Sequence, residues 1–375
     1  MSISRSTIPS MTRRQFTLAS AAAMATRLAP PLLAQSSDKP VGYAIIGLGR
    51  IADHFMDGIQ HSPNSKVTAL VSGHPEKAAR YAEKYGVPKS SIYNYENMDS
   101  FRNNHDVDAV YVALPNSMHA EYTIRSAKAG KHVLCEKPMC INVHEAHAMI
   151  DACNQANVKL MIAYRCHYEP TNLKAVSLIR SGAIGKIETI QSAFGFDIGA
   201  TEWRLNKTLA GGGPLMDVGI YCLNATRYLT GEEPTDLKAF AFSDPADPRF
   251  RQVEENLVWT TKFPSGALAS CNTTYGSQMD GYFHVYGSKG WIEARPSYNY
   301  DGLHLRAAYR DASGKWVSID EPNLQKDPYQ FTAQANHFSH CVRHNQTPKT
   351  PGEEGLRDME YITRLYSSAG IQMLA

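Results

Sequence analysis

The chain has 375 residues, of which 43% are hydrophobic and 20% charged, and a formal net charge of +2 at pH 7. This composition is typical of a globular protein with room for two domains. The near balance of charges gives no reason to expect nucleic acid or an anionic membrane as a partner. Beyond the N-terminus no apolar stretch reaches the roughly 20 residues of a stable membrane span. The 14 histidines lack the spacing of a metal site, so no metal is predicted.

The N-terminus has the pattern of an export signal. Arg13 and Arg14 precede a short Ala-rich apolar run, Phe16 to Ala25. This pattern predicts a twin-arginine signal with a short arm over residues 1–35. The predicted partner is therefore the twin-arginine export machinery, and the predicted location is the periplasm.

Residues 40–164 alternate short apolar runs with amphipathic segments. Strands are predicted over 41–48, 66–71, 108–114, 131–135 and 159–163. Helices are predicted over 51–60, 76–85, 120–129 and 143–154. This alternation predicts a parallel, doubly wound Rossmann domain of the α/β class, which binds a dinucleotide at the carboxyl ends of its strands.

From residue 165 to 375 the predicted strands are longer and few helices separate them. Strands are predicted over 187–196, 237–242, 256–263, 267–275, 282–286, 291–294 and 303–309. Helices are predicted over 168–180, 217–229, 331–342 and 354–368. The pattern predicts an α+β substrate domain built on an open-faced, mainly antiparallel β-sheet. Because an open sheet needs its exposed face covered, this domain is also expected to form a homodimer or homotetramer.

A glycine-rich turn joins the first predicted strand to the first predicted helix. Its sequence is Gly47-Leu48-Gly49-Arg50-Ile51-Ala52, the G-x-G-x-x-A form of the dinucleotide-binding fingerprint. Gly47 allows the tight turn, Gly49 lets the backbone approach a diphosphate, and Ala52 allows close packing of the helix on the sheet. The N-terminus of the helix favours the negative charge of the diphosphate.

The end of the second predicted strand indicates which dinucleotide binds. NAD sites usually carry Asp or Glu there, which accepts a hydrogen bond from the ribose 2′-hydroxyl. This chain has Ser72-Gly73-His74, followed by Lys77 and Arg80. The tripeptide contains no carboxylate that would repel a 2′-phosphate, and the two cations would attract it. NADP is therefore predicted.

Three residues are candidates for the chemistry. Lys137 lies in Glu136-Lys137-Pro138 at the end of a buried strand, where its ammonium can polarise a substrate hydroxyl. Pro138 is a candidate for a cis peptide bond. Asp217 and Tyr221 follow a triple glycine and are spaced i, i+4 on the predicted helix, where a carboxylate and a phenol can together relay a proton.

Further runs complete the pattern: Leu160 to Tyr168, Trp203-Arg204-Leu205, Thr226-Arg227-Tyr228-Leu229, Gly231-Glu232-Glu233-Pro234 and Pro351-Gly352-Glu353-Glu354-Gly355. Together with the motifs above, they resemble the Gfo/Idh/MocA oxidoreductase family. Many members have a histidine where Tyr221 stands. With a tyrosine at this position, the chain resembles the glucose–fructose oxidoreductase branch, and an aldose–aldose oxidoreductase is the alternative.

The resemblance implies roles for particular residues. Lys137, Asp217 and Tyr221 would be catalytic, and Arg165 and Tyr300 would line the sugar site together with Lys137 and Tyr221. A tightly bound NADP, not released during turnover, would contact these candidate cofactor-binding residues: Gly47, Leu48, Gly49, Arg50, Ile51, Ala52, Ser72, Gly73, Lys77, Tyr95, Leu114, Pro115, Asn116, His119, Glu136, Lys137, Arg165, Trp203 and Arg204.

The implied activity is a ping-pong transfer between two sugars. An aldose is oxidised at C1 to its lactone, with Tyr221 taking the hydroxyl proton and Lys137 setting the pKa of Tyr221, and fructose or another aldose is then reduced to the alditol. A cofactor that is bound before export and regenerated in place suits a periplasmic enzyme. The alternatives are a sugar dehydrogenase with exchangeable NAD(P), an NAD-dependent glycoside hydrolase and a non-catalytic sugar-binding module.

Overall fold

A six-stranded parallel sheet occupies the first half of the part that the structure, a computed structural model, describes (residues 39–374). The predicted twin-arginine signal therefore lies outside the described residues. The strand order is β3-β2-β1-β4-β5-β6, which is the order of dinucleotide-binding folds. The strands are β1 (Val41–Ile46), β2 (Ser65–Val71), β3 (Ile92–Tyr93), β4 (Ala109–Val112), β5 (His132–Cys135) and β6 (Leu160–Ile162).

Helices connect the strands of this sheet, and the predicted Rossmann fold is confirmed. All six residues of β1 are buried, as expected of a central parallel strand covered on both faces. The helices are α1 (Arg50–Gln60), α2 (Pro75–Tyr85), α3 (His119–Lys128) and α4 (Val143–Gln155). Within residues 39–374, no helix combines the length and the apolar character needed to cross a membrane.

The second half forms an eight-stranded sheet of order β14-β13-β12-β11-β7-β10-β9-β8. Strands β7 and β10 pair in parallel and the other neighbours are antiparallel, so the predicted mainly antiparallel sheet is confirmed. The strands are β7 (Ile187–Gly195), β8 (Asp236–Phe242), β9 (Asn256–Lys262), β10 (Leu268–Thr274), β11 (Tyr282–Gly287), β12 (Gly290–Ala294), β13 (His304–Arg310) and β14 (Trp316–Pro322). Strands β3 and β14 are additions to the prediction.

The two faces of this sheet differ. Three of the remaining helices, α5, α7 and α9, pack on one face. The opposite face carries exposed aromatic side chains, among them Phe240 at 78% and Phe242 at 64% exposure. The helices of this half are α5 (Pro170–Arg180), α6 (Lys207–Ala210), α7 (Ile220–Thr230), α8 (Tyr329–Arg343) and α9 (Gly352–Ser368).

Helix α8 returns to the Rossmann sheet, although it follows the second sheet in the chain. The hydroxyl of Thr332 donates to the carbonyl of Gly58 in α1 at 2.8 Å. A Cβ on Gly58 would lie 2.5 Å from the Cβ of Phe331, so the close contact requires glycine. This packing joins α8, from the second half of the chain, to the first helix of the Rossmann half.

Candidate active site

The glycine turn has the geometry of a dinucleotide site. Gly47 has a φ of +87°, and a Cβ there would lie 2.5 Å from the carbonyl oxygen of Ala113. Helix α1 starts after Gly49 with no side-chain cap, and a Cβ on Gly49 would meet no heavy atom within 4 Å. Ala52 is fully buried against the sheet. The uncapped helix start and the open space before it fit the diphosphate of a dinucleotide.

The predicted phosphate-binding residues come together beyond β2. The buried Ser72 accepts a hydrogen bond at its Oγ from the backbone N–H two residues further on, at 3.1 Å. A Cβ on Gly73 would lie 3.1 Å from the ring of Tyr95, so this ring covers the same turn. Lys77 is half-buried and Arg80 is exposed on α2. A hydroxyl and two cations are therefore available here to a phosphate group.

The residues after β4 contact the Glu136-Lys137-Pro138 turn and the end of α6. Leu114 and Pro115 are half-buried, and the amide of Asn116 donates to the last carbonyl of α6 at 2.9 Å. His119 is buried, with one ring nitrogen 2.8 Å from the Pro138 carbonyl and the other 2.9 Å from the Leu114 carbonyl. Burial lowers the pKa of His119 to about 4, so the neutral ring donates to one of these two carbonyls at a time.

The Glu136-Lys137-Pro138 turn follows β5. The hydroxyl of Tyr111 donates to one oxygen of Glu136 at 2.5 Å, and the N–H of Lys137 donates to the other at 3.1 Å. Burial raises the pKa of Glu136, and the ammonium of Lys137 opposes that rise. The predicted cis peptide bond at Pro138 is confirmed.

Lys137 and Asp217 form the centre of the site. The Nζ of Lys137 donates to the carbonyl of Asp217 at 2.7 Å and to its Oδ1 at 3.2 Å. Oδ2 accepts a hydrogen bond from Tyr275 at 2.9 Å and lies 2.9 Å from the Nε of Arg204 as an ion pair. Burial raises the pKa of Asp217, but Arg204 and then Lys137 outweigh it and hold the pKa at about 2. Asp217 is therefore a carboxylate at neutral pH.

Asp217 lies in a π-helical turn, Leu215–Gly219, that continues directly into α7. The helix predicted over 217–229 is present, but its first turn is wider than the predicted α-helix. Such turns are frequent at functional sites. Tyr221 follows in the first turn of α7, so the two predicted catalytic side chains project from neighbouring turns.

A buried glutamate caps this helical segment. Glu254 accepts hydrogen bonds from the N–H of Gly213 at 2.9 Å and of Leu215 at 3.1 Å, and from the hydroxyl of Tyr366 at 2.8 Å. A Cβ on Gly213 would lie 2.5 Å from the Glu254 carbonyl oxygen, which explains a glycine there. A carboxylate at a helix N-terminus is favourable because it meets the unpaired N–H groups and the positive end of the dipole.

Tyr221 contacts Arg165. The Nε of Arg165 donates to the Tyr221 hydroxyl at 3.2 Å, and its guanidinium carbon lies 5.0 Å from the Tyr221 ring centroid and 4.4 Å from that of Tyr300. Lys137 approaches the Tyr221 ring instead, with Nζ 4.7 Å from the centroid. Burial raises the pKa of Tyr221 above its ordinary value and that of Tyr300 to about 12, and Arg165 opposes both rises. All the predicted catalytic and sugar-site residues therefore meet in one place.

The segment of Trp203 and Arg204 connects Asp217 to the start of α1. The Arg204 guanidinium lies 4.7 Å from the Trp203 ring, and its pairing with Asp217 ties it to the catalytic carboxylate. Glu202 bridges Arg204 at 3.3 Å and Arg50, at the start of α1, also at 3.3 Å. Sequence reasoning did not find Glu202, Tyr275 or Glu254, since no motif marks them. No group of three or more His, Cys, Asp or Glu side chains in residues 39–374 is arranged to hold a metal ion.

The fold and this site define an oxidoreductase, and the chain belongs to the Gfo/Idh/MocA family. Residues 41–164 match the family described as "Oxidoreductase family, NAD-binding Rossmann fold". Residues 172–293 match the family described as "GFO/IDH/MocA C-terminal domain". The family predicted from the motifs is confirmed.

Two of the known proteins that resemble the chain are named for xylose or aldoses. D-xylose 1-dehydrogenase (NADP(+)) of Haloarcula marismortui is 30% identical over 342 residues, which cover 89% of this chain and 92% of the relative. The structure of an aldose-aldose oxidoreductase from Caulobacter crescentus is 44% identical, with a TM-score of 0.84 over 88% of this chain and 98% of that chain. A levoglucosan dehydrogenase in complex with NADH shares the fold at 23% identity, with a TM-score of 0.78 over 88% and 97% of the two chains.

Proposed function

We propose that the protein is a periplasmic, NADP(H)-retaining sugar oxidoreductase. It oxidises an aldose at C1 to the lactone and reduces a second sugar, fructose or another aldose, to the alditol in a ping-pong cycle. The observation that carries this proposal is the convergence of Lys137, Asp217 and Tyr221 beside the dinucleotide fold. The 44% identity to an aldose-aldose oxidoreductase supports the substrate class.

Lys137 and Tyr221 have different roles at the sugar. Lys137, held by two oxygens of Asp217, has a third N–H that can donate to a sugar oxygen and orient C1. The phenolate oxygen of Tyr221 takes the proton of the C1 hydroxyl during oxidation, and the resulting Tyr221 hydroxyl gives a proton to the second sugar during its reduction. When bound, the nicotinamide supplies the acceptor, and then the donor, of the C1 hydrogen with its electron pair.

The choice of NADP rests on the end of β2. Ser72 offers a hydroxyl there, and Lys77 and Arg80 follow it on α2. The D-xylose dehydrogenase that the chain resembles is named for NADP(+), which supports the same choice.

Retention of the cofactor and export are proposed together. A protein exported in the folded state would carry its cofactor with it, and a second sugar would then regenerate the cofactor in place. The ion pairs of Glu202 with Arg50 and Arg204 bring the segment of Trp203 and Arg204 next to the dinucleotide turn.

A second candidate function is a sugar dehydrogenase that exchanges its cofactor with solution. The 30% identity to D-xylose 1-dehydrogenase favours it. It differs from the first proposal in one measurable property, the fate of NADP(H) between the two half-reactions.

The test is an absorbance spectrum of exhaustively dialysed protein, taken before and after adding an aldose and no cofactor. A new dihydronicotinamide band, which fructose or a second aldose erases, is the expected result. Tyr221→Phe is the control, because it should keep the cofactor and develop the band far more slowly. Protein that loses NADP(H) on dialysis but turns over when it is added back would replace the first proposal with the second. Protein that oxidises no sugar under either condition would refute both.

A further inference from the structure

The cation that contacts the Tyr221 hydroxyl is not the one that the sequence singles out. Arg165 donates to that hydroxyl from its Nε at 3.2 Å. The Nζ of Lys137 is directed at Asp217, with distances of 2.7 and 3.2 Å to two of its oxygens, and meets only the ring of Tyr221, 4.7 Å from the centroid. A phenolate carries most of its charge on oxygen, so the group bonded to that oxygen stabilises it most.

We propose that Arg165, rather than Lys137, stabilises the phenolate form of Tyr221 when Tyr221 exchanges a proton with the sugar. This inference rests on the proposed function, whose chemistry needs Tyr221 to take and return that proton. Arg165 acts through Tyr221 and is therefore a positioning residue. Lys137 is left to orient the sugar oxygen from its place on Asp217.

The surroundings of Arg165 make its charge available to Tyr221. The side chain is 4% exposed, and its remaining N–H groups donate to the carbonyl of Tyr298, to the carbonyl of Asn299 at 3.3 Å and to the amide oxygen of Gln330 at 2.9 Å. These directly bonded acceptors are all neutral, and the carboxyl groups of Glu136 and Glu169 act on Arg165 only through longer-range electrostatics. A buried guanidinium bonded to neutral oxygens gains from a nearby anion, and it cannot lose its own proton to relieve the burial.

Lys137 differs in this respect. Its ammonium pairs with the carboxylate of Asp217, which is also paired with Arg204 and bonded to Tyr275. Part of its field at Tyr221 is therefore cancelled by the carboxylate beside it. The same carboxylate opposes ionisation of Tyr221, as its negative charge raises the pKa of the phenol.

The other groups around Tyr221 leave Arg165 as the directly bonded cation. The charged and thiol side chains that face or influence Tyr221 include Glu136, Lys137, Arg165, Cys166 and Asp217, and the neighbouring phenols are Tyr111, Tyr298 and Tyr300. Of these, Arg165 is the one recorded in a hydrogen bond with the Tyr221 hydroxyl in the described part of the chain. Arg165 is also the cation closest to the ring of Tyr300, so a single group is positioned to act on both phenols of the site.

The proton step can be written for both half-reactions. During oxidation the O–H bond of the C1 hydroxyl breaks and its proton forms the O–H bond of Tyr221, while the C1–H bond breaks and its hydrogen leaves with the electron pair for the proposed NADP. Arg165 then changes from bonding a phenolate to bonding a phenol. During reduction of the second sugar, the Tyr221 O–H bond breaks and its proton completes the new hydroxyl group. The balance therefore needs no co-reactant beyond the two sugars and the proposed NADP(H).

The test is the pH dependence of the first half-reaction in single turnover. Every variant carries 3,5-difluorotyrosine at position 221, because its two ring fluorines lower the pKa of the phenol and offset the rise caused by burial. The parent rate should then rise with pH through ionisation of this residue. In Arg165→Lys and Arg165→Met that rising limb should move up by about one to two pH units, the size expected when an anion loses a charge-assisted hydrogen bond. In Lys137→Met the rate should fall at every pH while the limb stays in place. A limb that moves in Lys137→Met and stays in the Arg165 variants would overturn the proposal.

A second measurement covers Arg165 variants that fail to fold. 3-Fluorotyrosine at position 221 reports its own ionisation by ¹⁹F NMR in protein that keeps Arg165, with and without Lys137→Met. The midpoint should shift by less than about half a pH unit on loss of Lys137, and a shift of more than one unit would overturn the proposal. This titration needs no sugar turnover, so a failure of the proposed function remains distinguishable from a failure of this inference.

Discussion

Replacing Arg227 with methionine should destabilise the fold, because Arg227 lies at the centre of a buried charge cluster. Its side chain is 3% exposed. The guanidinium donates to Glu233 at 2.6 and 2.8 Å, to Glu354 at 2.7 and 3.2 Å, and to Asp358 at 2.5 Å. Methionine keeps much of the apolar volume and removes the charge, so the carboxylates lose their shared partner.

The burial of the carboxylates sets the size of the loss in stability of Arg227→Met. The Asp358 side chain is fully buried and that of Glu354 is 14% exposed. Removing one partner of a buried ion pair costs about 3–5 kcal/mol, since the other charge stays buried and unpaired. With an unfolding entropy of about 2.1 cal/mol/K per residue over roughly 340 residues, this loss lowers Tm by about 4–7 °C at neutral pH.

The loss should shrink as the pH falls. Burial raises the pKa of Asp358 to about 6 and Arg227 opposes that rise; burial also raises the pKa of Glu354, but there Arg227 outweighs it. Without Arg227 both folded-state pKa values increase. A carboxyl group whose folded-state pKa is raised destabilises the fold above that pKa and ceases to do so once it is protonated. The gap between variant and parent is therefore widest at neutral pH and narrows on acidification.

The assay is calorimetric melting from neutral pH to below the Asp358 pKa of about 6, and Arg357→Met is the matched control. Arg357 also pairs with Glu354 and Glu233, but its side chain is 39% exposed. Exposed pairs contribute about 0–1 kcal/mol, so Tm of the control should fall by less than about 1.5 °C. Equal falls in the two variants, or a fall in Arg227→Met that does not change with pH, would refute the reasoning.

Three further outcomes are expected. Ser72→Asp should reverse the preference between NADP and NAD in fluorescence titrations, because it places a carboxylate at the 2′ position; an unchanged preference would contradict this role. Tyr275→Phe should slow the first half-reaction about tenfold with little change in Tm, because Asp217 loses one hydrogen bond; an unchanged rate would remove Tyr275 from the site. Phe240→Asp combined with Phe242→Asp should lower the mass measured by light scattering, because it places two charges on the open face that we expect to join protomers; a monomeric parent would contradict this.

The fold was predictable where burial follows a simple period. The strands of the parallel sheet are covered on both faces and are visible as continuous apolar runs, as in β1. Strand β14 is different, because none of its seven residues is buried and its alternation of apolar and polar side chains is limited to the four residues Val317 to Asp320. Strand β3 has two residues and is too short for any periodic pattern.

The site was predictable where a residue belongs to a local motif. Lys137, Asp217 and Tyr221 lie in such motifs, and the structure brings them together. Tyr275 and Glu254 act on the same helical segment from 58 and 39–41 residues away in the chain. Contacts of that range depend on how the second sheet lies against α7, which a reading of neighbouring residues does not contain. The run containing Arg227 was recognised as a motif, but its carboxylate partners became visible only in the structure.

The capped and uncapped helix starts have a consequence for the charge of the ligands. At the start of α1, Gly49 leaves the backbone N–H groups free of any side-chain cap among the described residues, so this end can attract an anion. The segment that carries Asp217 already holds the carboxyl group of Glu254 at its start. The N–H groups at this second helix start are therefore already bonded to a carboxyl group and do not attract an acidic or phosphorylated sugar, which the carboxylate of Asp217 would also repel. We therefore expect the attraction of helix dipoles for anions to be confined to the dinucleotide end of the site.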